Sequence, residues 1–302
     1  LPVLRVRAAG LELEHPVMNA SGILGSRPEA LERLARAGSA ALVTKSFTRE
    51  PRSGYPTPIA VPIPQGLLNA VGLSNPGLEA LPGLLERIRG LGKPVIVSIA
   101  GSTPEEFAEI AAAAEEAGAA AVELNLSCPH ARGRGLEIGM DPVAVREVAG
   151  AAASTVTIPV LAKLGVVDRL VEVAGKALEA GARGLVLINT IRAMAIDVYA
   201  MKPVLGHGVG GLSGPAIHPV AVRAVYEVYR EYRTDIIGVG GVEDWRTAAE
   251  MILAGARAVQ VGTAVITRGE TVISEIVQGL QKYLQEVGAT SIQDVVGAAH
   301  KN

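Results

Sequence analysis

Between Asn125 and His130 the chain sets out an amide, a hydroxyl, a thiol and an imidazole: Asn125-Leu126-Ser127-Cys128-Pro129-His130. The run before it, from Ala119 to Leu124, begins small and apolar, as a strand buried on both faces would. Pro129 has no N–H and cannot continue a central strand. The polar groups therefore fall at the strand's carboxyl end, where parallel α/β proteins keep their chemistry. Cys128 is the only cysteine. It can form no intramolecular disulfide and one thiol is too few for a metal cage, which leaves a buried filler or a reactive thiol.

The elements around this stretch decide what it can do. Pro16–Gly22 reads as a first buried strand, Pro28–Ala37 as a helix, and Ala41–Thr44 as a second strand with Lys45-Ser46 at its end. Leu11–Glu14 alternates like a hairpin lid at the amino end. A long, proline-rich excursion from Phe47 to about Gly92 follows, holding a helix around Leu78–Arg89; loops of that length inside a compact domain are usually functional. Strands are then expected at Pro94–Ala100, Ala119–Asn125, Pro159–Leu164, Gly184–Asn189, Asp235–Gly240 and Ala258–Val261. Helices are expected at Pro104–Ala117, Asp141–Ala153, Asp168–Ala180, Ile217–Tyr232, Asp244–Leu253 and Thr271–Val287. Glu116-Ala117-Gly118-Ala119, Glu179-Ala180-Gly181-Ala182 and Leu253-Ala254-Gly255-Ala256 each put a helix-ending glycine directly before a buried strand. Eight such units predict a (β/α)8 TIM barrel, with the excursion after strand 2 and lid loops over the carboxyl-terminal face. No linker divides the chain, so a single domain over residues 1–302 is expected.

On that barrel the strand ends carry Asn19, Ser21 and Gly22; Lys45 and Ser46; Ser98; Asn125 and Cys128; Lys163; Asn189 and Thr190; Gly240 and Gly241; Gly262 and Thr263. The chain has six asparagines, and three of them (Asn19, Asn125, Asn189) fall at these ends while Asn69 lies in the excursion. Each feature alone has a bland reading: a rim lysine, a turn-forming asparagine, a tight glycine turn. Together they suit a ligand with a flat polar ring and a phosphate, the phosphate falling at the glycine-rich ends of strands 7 and 8. No P-loop or dinucleotide fingerprint is present, so a mononucleotide fits better. The net charge of −2 gives no reason to expect nucleic acid, and no apolar run reaches membrane-spanning length, so a cytoplasmic protein without a membrane partner is expected. No metal site is expected.

These residues resemble the dihydroorotate dehydrogenases, flavin enzymes of pyrimidine synthesis. The likeness runs from Asn19-Ala20-Ser21-Gly22 to Val261-Gly262-Thr263. It passes in order through Lys45-Ser46, Glu50-Pro51-Arg52, Leu68-Asn69-Ala70-Val71-Gly72-Leu73, Asn125–Pro129, Ile188-Asn189-Thr190 and Gly211-Leu212-Ser213-Gly214-Pro215. The cysteine is similar to class 1, and the Asn69–Leu73 and Gly211–Ala216 runs look most like the subclass 1B catalytic subunit, which works with a flavin/iron–sulfur partner and passes electrons to NAD. The resemblance implies FMN as cofactor and oxidation of dihydroorotate to orotate, with Cys128 as the base and hydride transfer to FMN. It implies that Lys45, Asn69, Ala70, Val71, Gly72, Leu73, Asn125, Asn189 and Thr190 contact the substrate. Ser21, Lys45, Ser46, Ser98, Asn125, Lys163, Ile188, Gly214, Gly240, Gly241, Gly262 and Thr263 would hold the cofactor. It also implies a homodimer, and a lid over Cys128 formed by Ala131–Met140.

The chain departs from that pattern in places. His130 stands where the family usually has a substrate-binding Asn, and Cys-Pro-His is frequent in dihydropyrimidine dehydrogenases. Ser98 replaces an Asn that contacts the flavin, Tyr55 replaces an Asn, Ile59 replaces an Arg, and the loop after Lys163 is one residue shorter. The alternatives are a dihydropyrimidine dehydrogenase-like subunit, a barrel lyase using Lys163 as a Schiff base, and a non-catalytic barrel in which these residues only pack.

Overall fold

The computed structural model describes residues 1–127 and 135–301, the side chains of residues 135–137 excepted. Eight strands form one parallel sheet: β1 (Val17–Asn19), β2 (Leu42–Val43), β3 (Val95–Ile99), β4 (Ala121–Asn125), β5 (Val160–Leu164), β6 (Gly184–Leu187), β7 (Ile236–Val239) and β8 (Ala258–Val261). Their spatial order is β1-β8-β7-β6-β5-β4-β3-β2. The helices that return the chain are α1 (Pro28–Arg36), α2 (Leu81–Ile88), α3 (Pro104–Glu116), α4 (Pro142–Thr155), α5 (Leu170–Glu179), α6 (His218–Tyr232), α7 (Trp245–Ala254) and α8 (Val272–Glu286). This is the expected (β/α)8 barrel.

Local chemistry starts and stops these helices. Asp141 caps α4 by accepting from the Val143 N–H at 2.9 Å, with Pro142 in the first turn where its missing N–H costs nothing. Asp244 and Thr247 form a reciprocal capping box at α7. After α3, Gly118 and Ala119 donate back to Glu115 and Ala114, and the chain drops straight into β4. The small side chains of the Ala-Gly-Ala returns let each helix lie close on the sheet.

The barrel closes through one main-chain bond, from the Ala40 N–H to the Val17 carbonyl at 3.0 Å, and through a side chain. β1 and β2 share no regular ladder; Leu42 and Thr44 bond to the β3 side, so the peptide groups of Val43 point at β1. Asn19 meets them there. Its Nδ2 donates to the Val43 carbonyl at 2.8 Å and to the Ala20 carbonyl at 3.1 Å, and its Oδ1 accepts from the Val43 N–H at 3.1 Å. Ser39 Oγ accepts from the Asn19 N–H and donates to the Ala41 carbonyl. Asn19 is wholly buried. An asparagine expected on the ligand-facing rim thus stands in for a peptide group at the seam, because a primary amide has the same donor–acceptor pair as the backbone it replaces.

Two additions cap the cylinder. The strands Val6–Ala8 and Leu11–Leu13 pair as an antiparallel hairpin, held to the amino end where the Ala9 N–H donates to Asp235 Oδ2 at 2.7 Å. Over the carboxyl end lies a four-stranded antiparallel sheet that the sequence pattern does not announce. Its order is Ile191–Ala193, Gly210–Ser213, Gly66–Asn69, Ala60–Ile63. The excursion after β2 and the segment after β6 therefore build one roof. It has a small apolar cluster of its own around Leu68, Ala70 and Leu205.

Candidate active site

The roof and the strand ends enclose a cavity of about 550 Å³, within the roughly 300–1,000 Å³ usual for small-molecule sites. Ser21, Lys45, Ser46, Asn125, Lys163, Ile188, Asn189, Thr190, Gly240, Gly241, Gly262 and Thr263 line it from the barrel, and Asn69–Leu73 and Gly214 from the roof side. The expected substrate and cofactor residues thus gather in one place, with two exceptions. Ser98 sits one layer behind the wall, wholly buried, with its Oγ 2.9 Å from that of Ser46. Cys128 lies outside the described residues, as do His130 and Ala131–Arg134 of the expected lid. The remainder of that segment, Gly135–Met140, is a short helix whose Gly139 approaches the Leu126 carbonyl.

A chain of polar side chains crosses the middle of the wall. Asn125 Nδ2 donates to Ser46 Oγ at 3.0 Å. Asn189 Nδ2 donates to Asn125 Oδ1 at 3.2 Å and to Ser127 Oγ at 2.7 Å, while Asn189 Oδ1 accepts from the Thr190 N–H at 2.8 Å. Asn69 reaches in from the roof and donates to the Gly211 carbonyl at 3.3 Å. Lys45 stands beside this chain half-buried, and among the described residues no carboxylate pairs with it. Burial pushes its ammonium below the ordinary lysine pKa.

Beneath the ligand space runs a charged layer. Strand alternation puts Glu123 on the same face of β4 as Asn125. Glu123 Oε1 lies 3.4 Å from Lys163 Nζ on β5, and Glu123 Oε2 accepts from Gln260 Nε2 on β8 at 2.9 Å. Lys163 Nζ also donates to Ser21 Oγ at 2.8 Å. Glu123 and Gln260 are wholly buried. Sequence reasoning passed over both; the available signal was a carboxylate two residues before Asn125 inside an otherwise apolar strand.

At the β7 and β8 ends the walls are glycine. Gly241 has φ +67°, and a Cβ there would lie 2.6 Å from that of His218 and 2.8 Å from the Gly214 carbonyl oxygen. His218 Nδ1 meets the Gly240 carbonyl at 2.9 Å and its Nε2 meets Glu250 at 2.9 Å, which ties the turn to α6 and α7. Thr263 Oγ1 donates to Ser213 Oγ at 2.7 Å and joins the roof to β8. A Cβ on Gly22 would meet no atom within 4 Å and would project into open space beside the cavity. The donor set fits a flavin mononucleotide: hydroxyls and an ammonium for a polar ring edge, Ile188 for its face, and side-chain-free turns for a phosphate. Other lining residues, including Pro62, Ile63, Gln65 and Ile266, are apparent only once the roof is seen.

Among the described residues, no helix is long and apolar enough to cross a membrane. Residues 3–284 match the family model described as dihydroorotate dehydrogenase. A protein of Aeropyrum pernix named putative dihydroorotate dehydrogenase A (fumarate) is 58% identical over 301 residues, covering 99% of this chain and 98% of its own. A Pyrococcus horikoshii protein named dihydroorotate dehydrogenase B (NAD(+)), catalytic subunit, is 48% identical over 301 residues, with 99% and 98% covered. Its counterpart of the same name in Pyrococcus abyssi is 46% identical over 302 residues, with 99% and 100% covered.

Proposed function

The chain belongs to the dihydroorotate dehydrogenase family, and from that premise we propose that it oxidises dihydroorotate to orotate in pyrimidine synthesis, as a single FMN-binding domain. Lys45 carries the reading. A half-buried ammonium without a carboxylate partner among the described residues shares a cavity with the amides of Asn69, Asn125 and Asn189. A planar ring with a carboxylate and amide edges satisfies both kinds of group.

In this reading Lys45 holds the substrate carboxylate, and Asn69, Asn125, Asn189 and Thr190 take the ring edges beneath Ala70–Leu73. Ser21, Ser46, Lys163 and Ile188 hold the flavin ring, with Gly214, Gly240, Gly241, Gly262 and Thr263 at its phosphate end and Ser98 acting from behind Ser46. Bound FMN would supply the hydride acceptor. Cys128 takes the C5 proton of the substrate, an assignment that rests on its place in the Asn125–Pro129 motif. A thiol of ordinary pKa, about 8.5, needs an electropositive site for this work.

Anaerobic titration of the FMN-loaded protein tests the reading. Stoichiometric dihydroorotate bleaches the oxidised flavin band; bleaching by dihydrouracil alone would move the protein to the dihydropyrimidine dehydrogenases. Two of the relatives described carry the words catalytic subunit, and this chain has one cysteine and no dinucleotide fingerprint. Electrons therefore leave through a flavin/iron–sulfur partner, found by copurification. Reoxidation by fumarate at turnover rate would replace that partner with a small-molecule acceptor. The chain also forms a homodimer, read by light scattering; the exposed apolar tip at Val198, Tyr199 and Met201 supports association.

A further inference from the structure

We infer that Ser98 is a positioning residue: together with Asn125 it saturates the acceptor capacity of Ser46, so the Ser46 hydroxyl is committed to donating into the cavity. The backbone N–H of Thr190 can only donate. It donates to one end of the Asn189 amide, so that end is oxygen and the other is NH₂. The NH₂ faces Asn125 at 3.2 Å, so the Asn125 atom there is its oxygen. The Asn125 NH₂ then points at Ser46 Oγ, 3.0 Å away, and donates to it. Polarity passes in this way from a main-chain amide at the β6 end through two side chains to one hydroxyl.

The second input comes from below. Ser98 is wholly buried, and among the described residues its hydroxyl has one hydrogen-bond partner, Ser46 Oγ at 2.9 Å. If Ser46 donated to Ser98, the Ser98 proton would be buried without an acceptor among the described residues, an arrangement folded proteins avoid. The arrangement that satisfies every group has Ser98 donating to Ser46. Ser46 Oγ then receives two hydrogen bonds, one for each lone pair. Its own proton has no acceptor among the described residues and faces the space it lines. The ligand atom placed against Ser46 must be an acceptor, a ring carbonyl or an imine-type nitrogen, and an N–H there is rejected. Ser98 therefore acts on the ligand through Ser46. The inference deepens the reading above and depends on it only for which ligand carries the acceptor.

Neutron diffraction on the deuterated protein tests the hydroxyl orientation directly, with or without FMN. Deuterium on Ser98 pointing at Ser46 Oγ is expected; deuterium on Ser46 pointing at Ser98 overturns the inference whatever the protein's function. A double-mutant cycle tests the consequence. S98A should weaken FMN or orotate about 2–12-fold, the span of a net hydrogen bond, and should cost nothing further in an S46A background. A loss that persists without Ser46, or no loss of either ligand in the Ser46 background, overturns it.

Discussion

Replacing Asn19 by leucine should damage the protein although the branching and heavy-atom count of the side chain are kept. The Asn19 amide pairs with both peptide groups of Val43, which have no strand to turn to on that side. Losing it takes the donor from the Ala20 carbonyl and orphans the N–H and C=O of Val43 in a site from which water is excluded; each orphan at Val43 costs roughly 1–3 kcal/mol. The sum is about 2–6 kcal/mol, against a usual total stability of roughly 5–15 kcal/mol. Urea unfolding reads it as a lower midpoint at unchanged slope. N19A should lose at least as much as N19L, since it adds a void to the same two orphans. N19D keeps an acceptor for the Val43 N–H but turns oxygen against two carbonyls, so it should fail as well. Ligand binding at Lys45, two residues beyond Val43, should weaken in parallel. If N19L unfolds within about 1 kcal/mol of the parent, the seam is held by packing and the reasoning is refuted.

Lys45 predicts a pH dependence. Its folded pKa is depressed by burial, so between that value and the unfolded one the unfolded chain binds more protons, and stability of the ligand-free protein rises with pH. A bound carboxylate favours the ammonium, so orotate affinity falls over the same window; K45M should flatten both curves, measured by urea unfolding and calorimetry. An orotate affinity indifferent to pH in the parent would remove Lys45 from carboxylate binding. G241A places a Cβ against His218 at positive φ, a strain of roughly 1–3 kcal/mol, and should lower the stability read by urea unfolding by that amount, with FMN affinity falling in fluorescence titration as the turn is displaced. C128S should slow flavin reduction about 10²–10⁴-fold while leaving reoxidation unchanged in stopped flow.

What the sequence makes legible follows from the range of the interactions involved. The barrel is written locally: a glycine cap, a short apolar strand and an amphipathic helix recur, and each needs only its neighbours to be recognised. The cavity residues are legible for the same reason, since polar groups directly after buried strands must fall at the carboxyl ends. Asn19 obeys that rule yet does other work, because only the strand order shows that its neighbour lacks a ladder. Ser98 and Glu123 show the complementary failure: alternation turns both inward, but which inward residue reaches the ligand depends on its depth in the barrel. The roof is beyond any local reading. Its strands are at most four residues long, and Asn69 meets Gly211 across 142 positions of chain.

That canopy is a sheet separate from the one that forms the cylinder below it. It has its own small apolar centre and joins two stretches remote in sequence, so its closure carries a loop entropy that the βα units avoid. An opening of the canopy that leaves the cylinder shut is a sub-global event, which hydrogen exchange detects. Amide deuteration at Leu67–Asn69 and Gly211–Ser213 should outpace that of β4 to β6, and a bound ligand should slow the canopy amides most.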